Sequence, residues 1–222
     1  MRQITVYAHR GSALHARENT AAAFDSALHL GFKAFELDLL RLKDGTIVVF
    51  HDFTLRRQFG KLKRIRSVTL KEFRKINSDL LTFDEFVDRY AKKKITVNFE
   101  VKDDSKTLRA MLPGIAKFHD PVISSFRRTV VDAALCEGLE AGYLFHTMRA
   151  FRAGQKKMKG NRLHISKNLL RSRNKPTKVF SSYNTHVYTV NDPIEALSLS
   201  AFPFVHGIFT DKPEVMHAFQ RK

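Results

Sequence analysis

Three carboxylates in two short apolar runs are placed to hold a cation. In Glu36-Leu37-Asp38 the acids are two residues apart, and in Asn98-Phe99-Glu100-Val101-Lys102 the polar residues again fall on every second position. If both runs are strands, alternate side chains share a face, so Glu36 and Asp38 project to one side, as do Asn98, Glu100 and Lys102. Adjacent strands lie about 4.8 Å apart, which lets acids from neighbouring strands converge. Three like charges at that range repel, and a bound cation relieves them. Oxygen-only donors favour a hard ion, Mg2+ or Ca2+, over zinc. Any one of these acids would more often pair with Lys or Arg; the coincidence of three argues for a metal.

Two histidines flank this group. His9 closes one β-rich run, His51 follows another, and each adjoins a turn. Imidazole titrates near neutral pH, which suits a general acid and a general base, with the division of roles left open. Of the 10 histidines, His29, His119, His146 and His217 read as ordinary. The single cysteine, Cys136, ends the apolar run Ala133-Ala134-Leu135 and reads as a buried, inert thiol.

These side chains need a scaffold that brings strand ends together. Strands are expected at Ile4–His9, Ala34–Leu39, Thr96–Val101, Pro121–Phe126, Ala141–Phe145, Arg162–Ser166, His186–Val190 and Gly207–Thr210. A further run, Thr46–Phe50, follows the Asp44-Gly45 turn and reads as a hairpin excursion after the second strand. Helix starts fall between the strands. Asn19 can cap a helix stopped by Gly31. Thr69 with Glu72 and Thr82 with Glu85 form capping-box patterns, Leu81 and Phe86 stand as a hydrophobic staple, and Asn191-Asp192-Pro193 opens another helix. Strands alternating with helices imply a parallel sheet, and eight such units without a glycine-rich phosphate loop favour a closed TIM (β/α)8 barrel over an open doubly wound sheet. The 222 residues suit a single domain spanning 1–222, with only a short insertion. Barrel active sites lie at the carboxyl ends of the strands, where His9, Glu36, Asp38, His51 and Glu100 fall.

Composition narrows the partners. The 19 Phe residues read as core filler, and the formal net charge of +17 favours anionic partners. The basic residues cluster in Lys61–Arg66, Lys92–Lys94 and Arg149–Lys178. They allow weak contact with an anionic membrane surface. Nucleic acid ranks low, because an acid/base and carboxylate set has no use there. No run approaches the roughly 20 apolar residues of a membrane span, and the segment after Met1 has no apolar leader, so a cytoplasmic location is expected.

The ordered segments His9-Arg10-Gly11, Glu18-Asn19-Thr20, Glu36-Leu37-Asp38, Asp44-Gly45 with Val48-Val49 and His51-Asp52, and Asn98 to Lys102 resemble the motifs of the glycerophosphodiester phosphodiesterase family. Ile123 to Phe126, Val187 to Asn191, and Gly207 to Asp211 with Pro213 extend the likeness to residue 213. The resemblance implies a phosphatidylinositol-phospholipase-C-like TIM barrel that hydrolyses glycerophosphodiesters to glycerol 3-phosphate and an alcohol. It implies His9 and His51 as the acid/base pair, Glu36, Asp38 and Glu100 as metal ligands, and Arg10 and Lys102 as phosphate contacts. Tyr188 stands where the family often has Trp and would pack on the glycerol carbons. A lysophospholipase D acting on lipids through the same site is the alternative, and a basic nucleic-acid-binding module a more distant one. The stretch from Phe53 to Leu81 is shorter than in many members.

Overall fold

A computed structural model describes residues 3–11, 16–171 and 177–220. The β-rich runs become nine strands: β1 (Thr5–His9), β2 (Ala34–Arg41), β3 (Ile47–Val49), β4 (Thr96–Val101), β5 (Asp120–Ser125), β6 (Glu140–Phe145), β7 (Arg162–Ser166), β8 (Asn184–Tyr188) and β9 (Val205–Thr210). Their order is β1-β9-β8-β7-β6-β5-β4-β2-β3, and β1 also pairs with β2, which closes the ring. Every ring pairing is parallel, as the intervening helices require, whereas β3 pairs antiparallel with the end of β2. The result is the expected TIM barrel with its hairpin excursion. Strand ends differ from the expected ones by one or two residues, with β8 and β9 beginning earlier.

Register brings the polar residues together. His9 lies opposite Glu36, Glu36 opposite Asn98, Asp38 opposite Glu100, and Glu100 opposite Ser124. Both capping boxes form, at Thr69 with Glu72 and at Thr82 with Glu85, and Asp192 caps the helix Pro193–Ser200. Leu81 and Phe86, the expected staple, are both buried in the main core. The helix Ala21–His29 is capped by Thr20 rather than Asn19. Asn19 has φ of 60° and turns its side chain inward instead. Gly11 has φ of +85°, and a Cβ there would come 2.9 Å from Ala23, so β1 can hand over to this helix only through a glycine. Cys136 is exposed, contrary to expectation, because its position ends the helix Arg128–Cys136 on the solvent side.

The core is divided. The main core fills the space between barrel and helices and holds Phe24, Phe35, Phe86, Tyr90 and Phe99 in edge-on or tilted aromatic contacts. A smaller core of Leu40, Leu42, Val48, Phe50, Leu55, Ile65, Val68, Phe73 and Leu80 lies under the hairpin and the segment after it. Inside the barrel, the rings of His164 and His186 stack with centroids 5.0 Å apart, beside Phe209 and Tyr7. Both histidines are buried, and burial pushes their pKa values well below the ordinary one. Among the described residues no helix is long and apolar enough to cross a membrane.

Candidate active site

A cleft of about 390 Å3 opens at the carboxyl ends of the strands. Its lining includes His9, Arg10, Glu36, His51, Glu100, Lys102 and Tyr188. Asp38 lies just behind, almost wholly buried. All eight residues singled out from the sequence therefore meet at one place. A wider hollow of about 1150 Å3 at the other end of the barrel has neither carboxylate nor histidine in its lining, so size alone does not mark the site.

The carboxylates of Glu36, Asp38 and Glu100 each offer an oxygen within 4.8 Å of the other two. Two of them already have cationic neighbours. Lys102 Nζ lies 3.1 Å from Asp38 Oδ1 and 3.0 Å from Glu100 Oε1, and Arg10 Nε lies 3.2 Å from Asp38 Oδ2. Asn19 Nδ2 adds a hydrogen bond to Asp38 Oδ2 at 3.0 Å. Burial works against ionisation of Asp38, but Lys102 and Arg10 outweigh it and hold its carboxyl well below the usual range. Burial would also lower Lys102, yet Asp38 and Glu100 keep it firmly protonated.

Glu36 is the odd member. It accepts the Arg10 backbone N–H at 3.1 Å, but among the described residues neither Lys nor Arg forms an ion pair with it. Burial, and then the charge of Asp38, push its pKa up to about 8. A carboxyl that holds its proton beside the ionised Asp38 has the chemistry of a site that exchanges a proton for a cation. Three converging oxygen donors fit a divalent hard ion.

Each histidine has a carboxylate behind it. His9 Nδ1 is 2.7 Å from Asp211 Oδ1, and His51 Nδ1 is 2.7 Å from Asp52 Oδ1. This leaves Nε2 of each ring as the remaining nitrogen; that of His9 is 3.9 Å from Glu36. Burial alone would lower the His9 pKa, but the bond to Asp211 and the charge of Glu36 carry it above the ordinary value. Asp52 is anchored by Arg57 Nε at 2.6 Å, and Arg57 also pairs with Glu18. Glu18 in turn takes Arg10 Nη1 at 3.2 Å. Tyr188 Oη is buried without a hydrogen-bond partner among the described residues.

Comparison with known proteins then shows the family. The profile of the Glycerophosphoryl diester phosphodiesterase family matches residues 9–133, more than half of the chain. The chain belongs to that family. A glycerophosphodiester phosphodiesterase of Caldanaerobacter subterraneus subsp. tengcongensis is 36% identical over 96 residues, which cover 43% of this chain and 38% of that protein. The crystal structure of a Thermotoga maritima glycerophosphodiester phosphodiesterase superposes with a TM-score of 0.82 at 26% identity, covering 98% of each chain. An Oleispira antarctica phosphodiesterase, solved in complex with the product sn-glycerol-3-phosphate, has the same fold, with a TM-score of 0.83 at 23% identity over 98% of this chain and 97% of that one.

Within this family frame the structure adds residues to which the sequence reading gave no role. Asp211, Asp52 and Glu18 stood inside the ordered segments, but only the fold shows what each one holds; Asn19, expected as a helix cap, holds Asp38 instead. His146, taken as ordinary, lines the cleft, with its ring 6.4 Å from that of Tyr188. Exposed polar residues after strand ends were the available signal for it.

Proposed function

We propose that the protein hydrolyses glycerophosphodiesters to glycerol 3-phosphate and an alcohol, with Mg2+ or Ca2+ at Glu36, Asp38 and Glu100. The observation that carries this reading is the meeting of three carboxylates with two carboxylate-backed histidines in one cleft. The product bound by the Oleispira enzyme supplies the substrate class. When bound, the ion would polarise a phosphoryl oxygen.

The chain's own residues do the rest. Lys102 and Arg10 face the phosphate charge; a guanidinium can offer two hydrogen bonds. His9, with Nδ1 held by Asp211, donates a proton from Nε2 to the leaving alkoxide. His51, oriented by Asp52, takes the proton of the nucleophile. Tyr188 packs on the glycerol carbons and offers its unpartnered hydroxyl to the substrate.

Purified protein is assayed on glycerophosphocholine, glycerophosphoethanolamine and lysophosphatidylcholine, with Mg2+, with Ca2+ and with a chelator. Release of glycerol 3-phosphate from the first two, abolished by chelation, is the expected result. Full turnover after exhaustive chelation overturns the metal assignment, and turnover of the lysolipid alone overturns the substrate.

A further inference from the structure

The surface around the cleft carries a second pattern, independent of the reaction. Five large apolar side chains are well exposed among the described residues: Phe53 (54%), Leu62 (83%), Phe126 (56%), Val179 (39%) and Ile194 (79%). Single exposed apolar residues are ordinary. Their distribution here is not. Phe126 joins β5 to the helix Arg128–Cys136, and Ile194 sits in the first turn of the helix that follows β8. Both connections leave carboxyl ends of strands. Phe53 and Leu62 lie on the segment after β3, which stands at the same end: Lys102 Nζ is 5.9 Å from the centre of the Phe53 ring, and Arg57 ties the segment to Asp52 and Glu18. Four of the five therefore belong to the catalytic end, whereas Val179 precedes β8.

Cations accompany them. Arg56, Lys61, Lys63 and Arg64 flank Leu62, and Arg127 follows Phe126; all are exposed. None of these cations forms an ion pair among the described residues, in contrast to Arg57 and Arg128, which do. The opposite end has exposed lysines as well, at Lys33, Lys92, Lys93, Lys94 and Lys117, but no large apolar side chain stands out among them. Of the basic stretch Arg149–Lys178, residues 172–176 lie outside the described ones.

We propose that the catalytic end of the barrel docks onto an anionic lipid bilayer, with Phe53, Leu62, Phe126 and Ile194 entering the headgroup boundary and the unpaired cations meeting the anionic headgroups. Apolar side chains projecting among Lys and Arg are what a peripheral membrane site requires: the first gain from leaving water, the second from the negative surface potential. Nucleic acid would use the same cations and could stack bases on the two Phe rings, but it has no use for the aliphatic Leu62 and Ile194. The arrangement also gives the +17 charge a purpose, since attraction to an anionic surface acts over about a Debye length before contact. The proposal stands or falls apart from the reaction, because it is read by binding to lipid and not by turnover, although Phe126 also lines the cleft.

The chain has no Trp, so a single introduced one reports only on its own position. In Leu62→Trp the emission should shift to the blue, and be quenched by brominated lipid, on adding vesicles of phosphatidylcholine with about 30% phosphatidylglycerol. Pure phosphatidylcholine should do neither. Lys93→Trp, at the other end, should respond to neither vesicle. Sedimentation with the anionic vesicles should fall about tenfold or more when Phe53, Leu62, Phe126 and Ile194 are all changed to Ser. A response at Lys93→Trp equal to that at Leu62→Trp, or none at Leu62→Trp, overturns the proposal. So does unchanged sedimentation of the fourfold variant, or tighter binding to duplex DNA than to the vesicles at equal salt.

Discussion

The raised pKa of Glu36 predicts that metal binding expels a proton. At neutral pH a carboxyl whose pKa is pushed up to about 8 is largely protonated. A divalent cation needs the carboxylate, so each ion bound at Glu36 should release most of one proton from this residue near pH 7, and less as pH rises through its pKa. Apparent affinity should rise several-fold per pH unit below the pKa, towards a limit of about tenfold, and level off beyond it. His9 lies 3.9 Å from Glu36 and also has a raised pKa, so it can add to the release. Glu36→Gln separates the two: the variant should bind the ion more weakly and release less, and the difference in protons from wild type belongs to Glu36. Titration calorimetry with Mg2+ or Ca2+ in two buffers of different ionisation enthalpy reads the proton count directly. Equal proton release by wild type and Glu36→Gln at pH 7 would refute the reasoning, since Glu36 would then be ionised before the metal arrives or would not bind it.

Three further outcomes are expected. His9→Ala and His51→Ala should each lower kcat by about 10²–10⁴-fold with the melting temperature little changed, as loss of a general acid or base does; near-normal kcat in either removes that histidine from the mechanism. His164 and His186 stay neutral in the fold but titrate near 6.5 when unfolded, so below that pH the unfolded chain binds two protons that the native one refuses. The pair should therefore lower stability as pH falls by up to about 2.7 kcal/mol per pH unit, offset in part by Glu36, whose raised pKa works the other way, and His186→Gln should remove about half of the pair's contribution, read as the difference from wild type in urea midpoints from pH 7 to 5. Phe24→Ala removes a fully buried ring that meets Phe35, Phe86 and Tyr90, and should cost about 3–5 kcal/mol in chemical unfolding; a loss below about 1 kcal/mol would mean that the core closes over the gap.

What could be read in the chain were the features whose causes are local. Alternation in Glu36-Leu37-Asp38 and in the run to Lys102 fixed which side chains share a face, and parallel pairing then brought Asp38 opposite Glu100. The capping boxes at Thr69 and Thr82 were legible because both partners lie within four residues. The partner of His9 was not, since Asp211 is 202 positions away and only ring closure brings β9 beside β1. Asn19 misled because Asn and Thr are both good caps and stand side by side; the inward turn of Asn19 answers to Asp38, which local reasoning does not see. Cys136 misled because an apolar helix run was read as buried throughout, although its last residue faces solvent. The stacked pair His164 and His186 gave no signal beyond ordinary alternation in β7 and β8.

His9 and His51 are carried by different packed clusters. His9 follows Ala8, which belongs to the main core, whereas His51 follows Phe50, which belongs to the smaller one beneath the hairpin. A cluster of that size opens more readily than a whole barrel, and segments open in cooperative units of their own. The pair thus joins the barrel wall to a smaller packed plate, with Val49 still set in the main core. Mild denaturant or warmth should part the plate from the wall while the ring of strands stays intact. Activity should then disappear at a lower denaturant concentration than the far-ultraviolet signal of the fold, and amide hydrogens of Val48 and Phe50 should exchange ahead of those in β1.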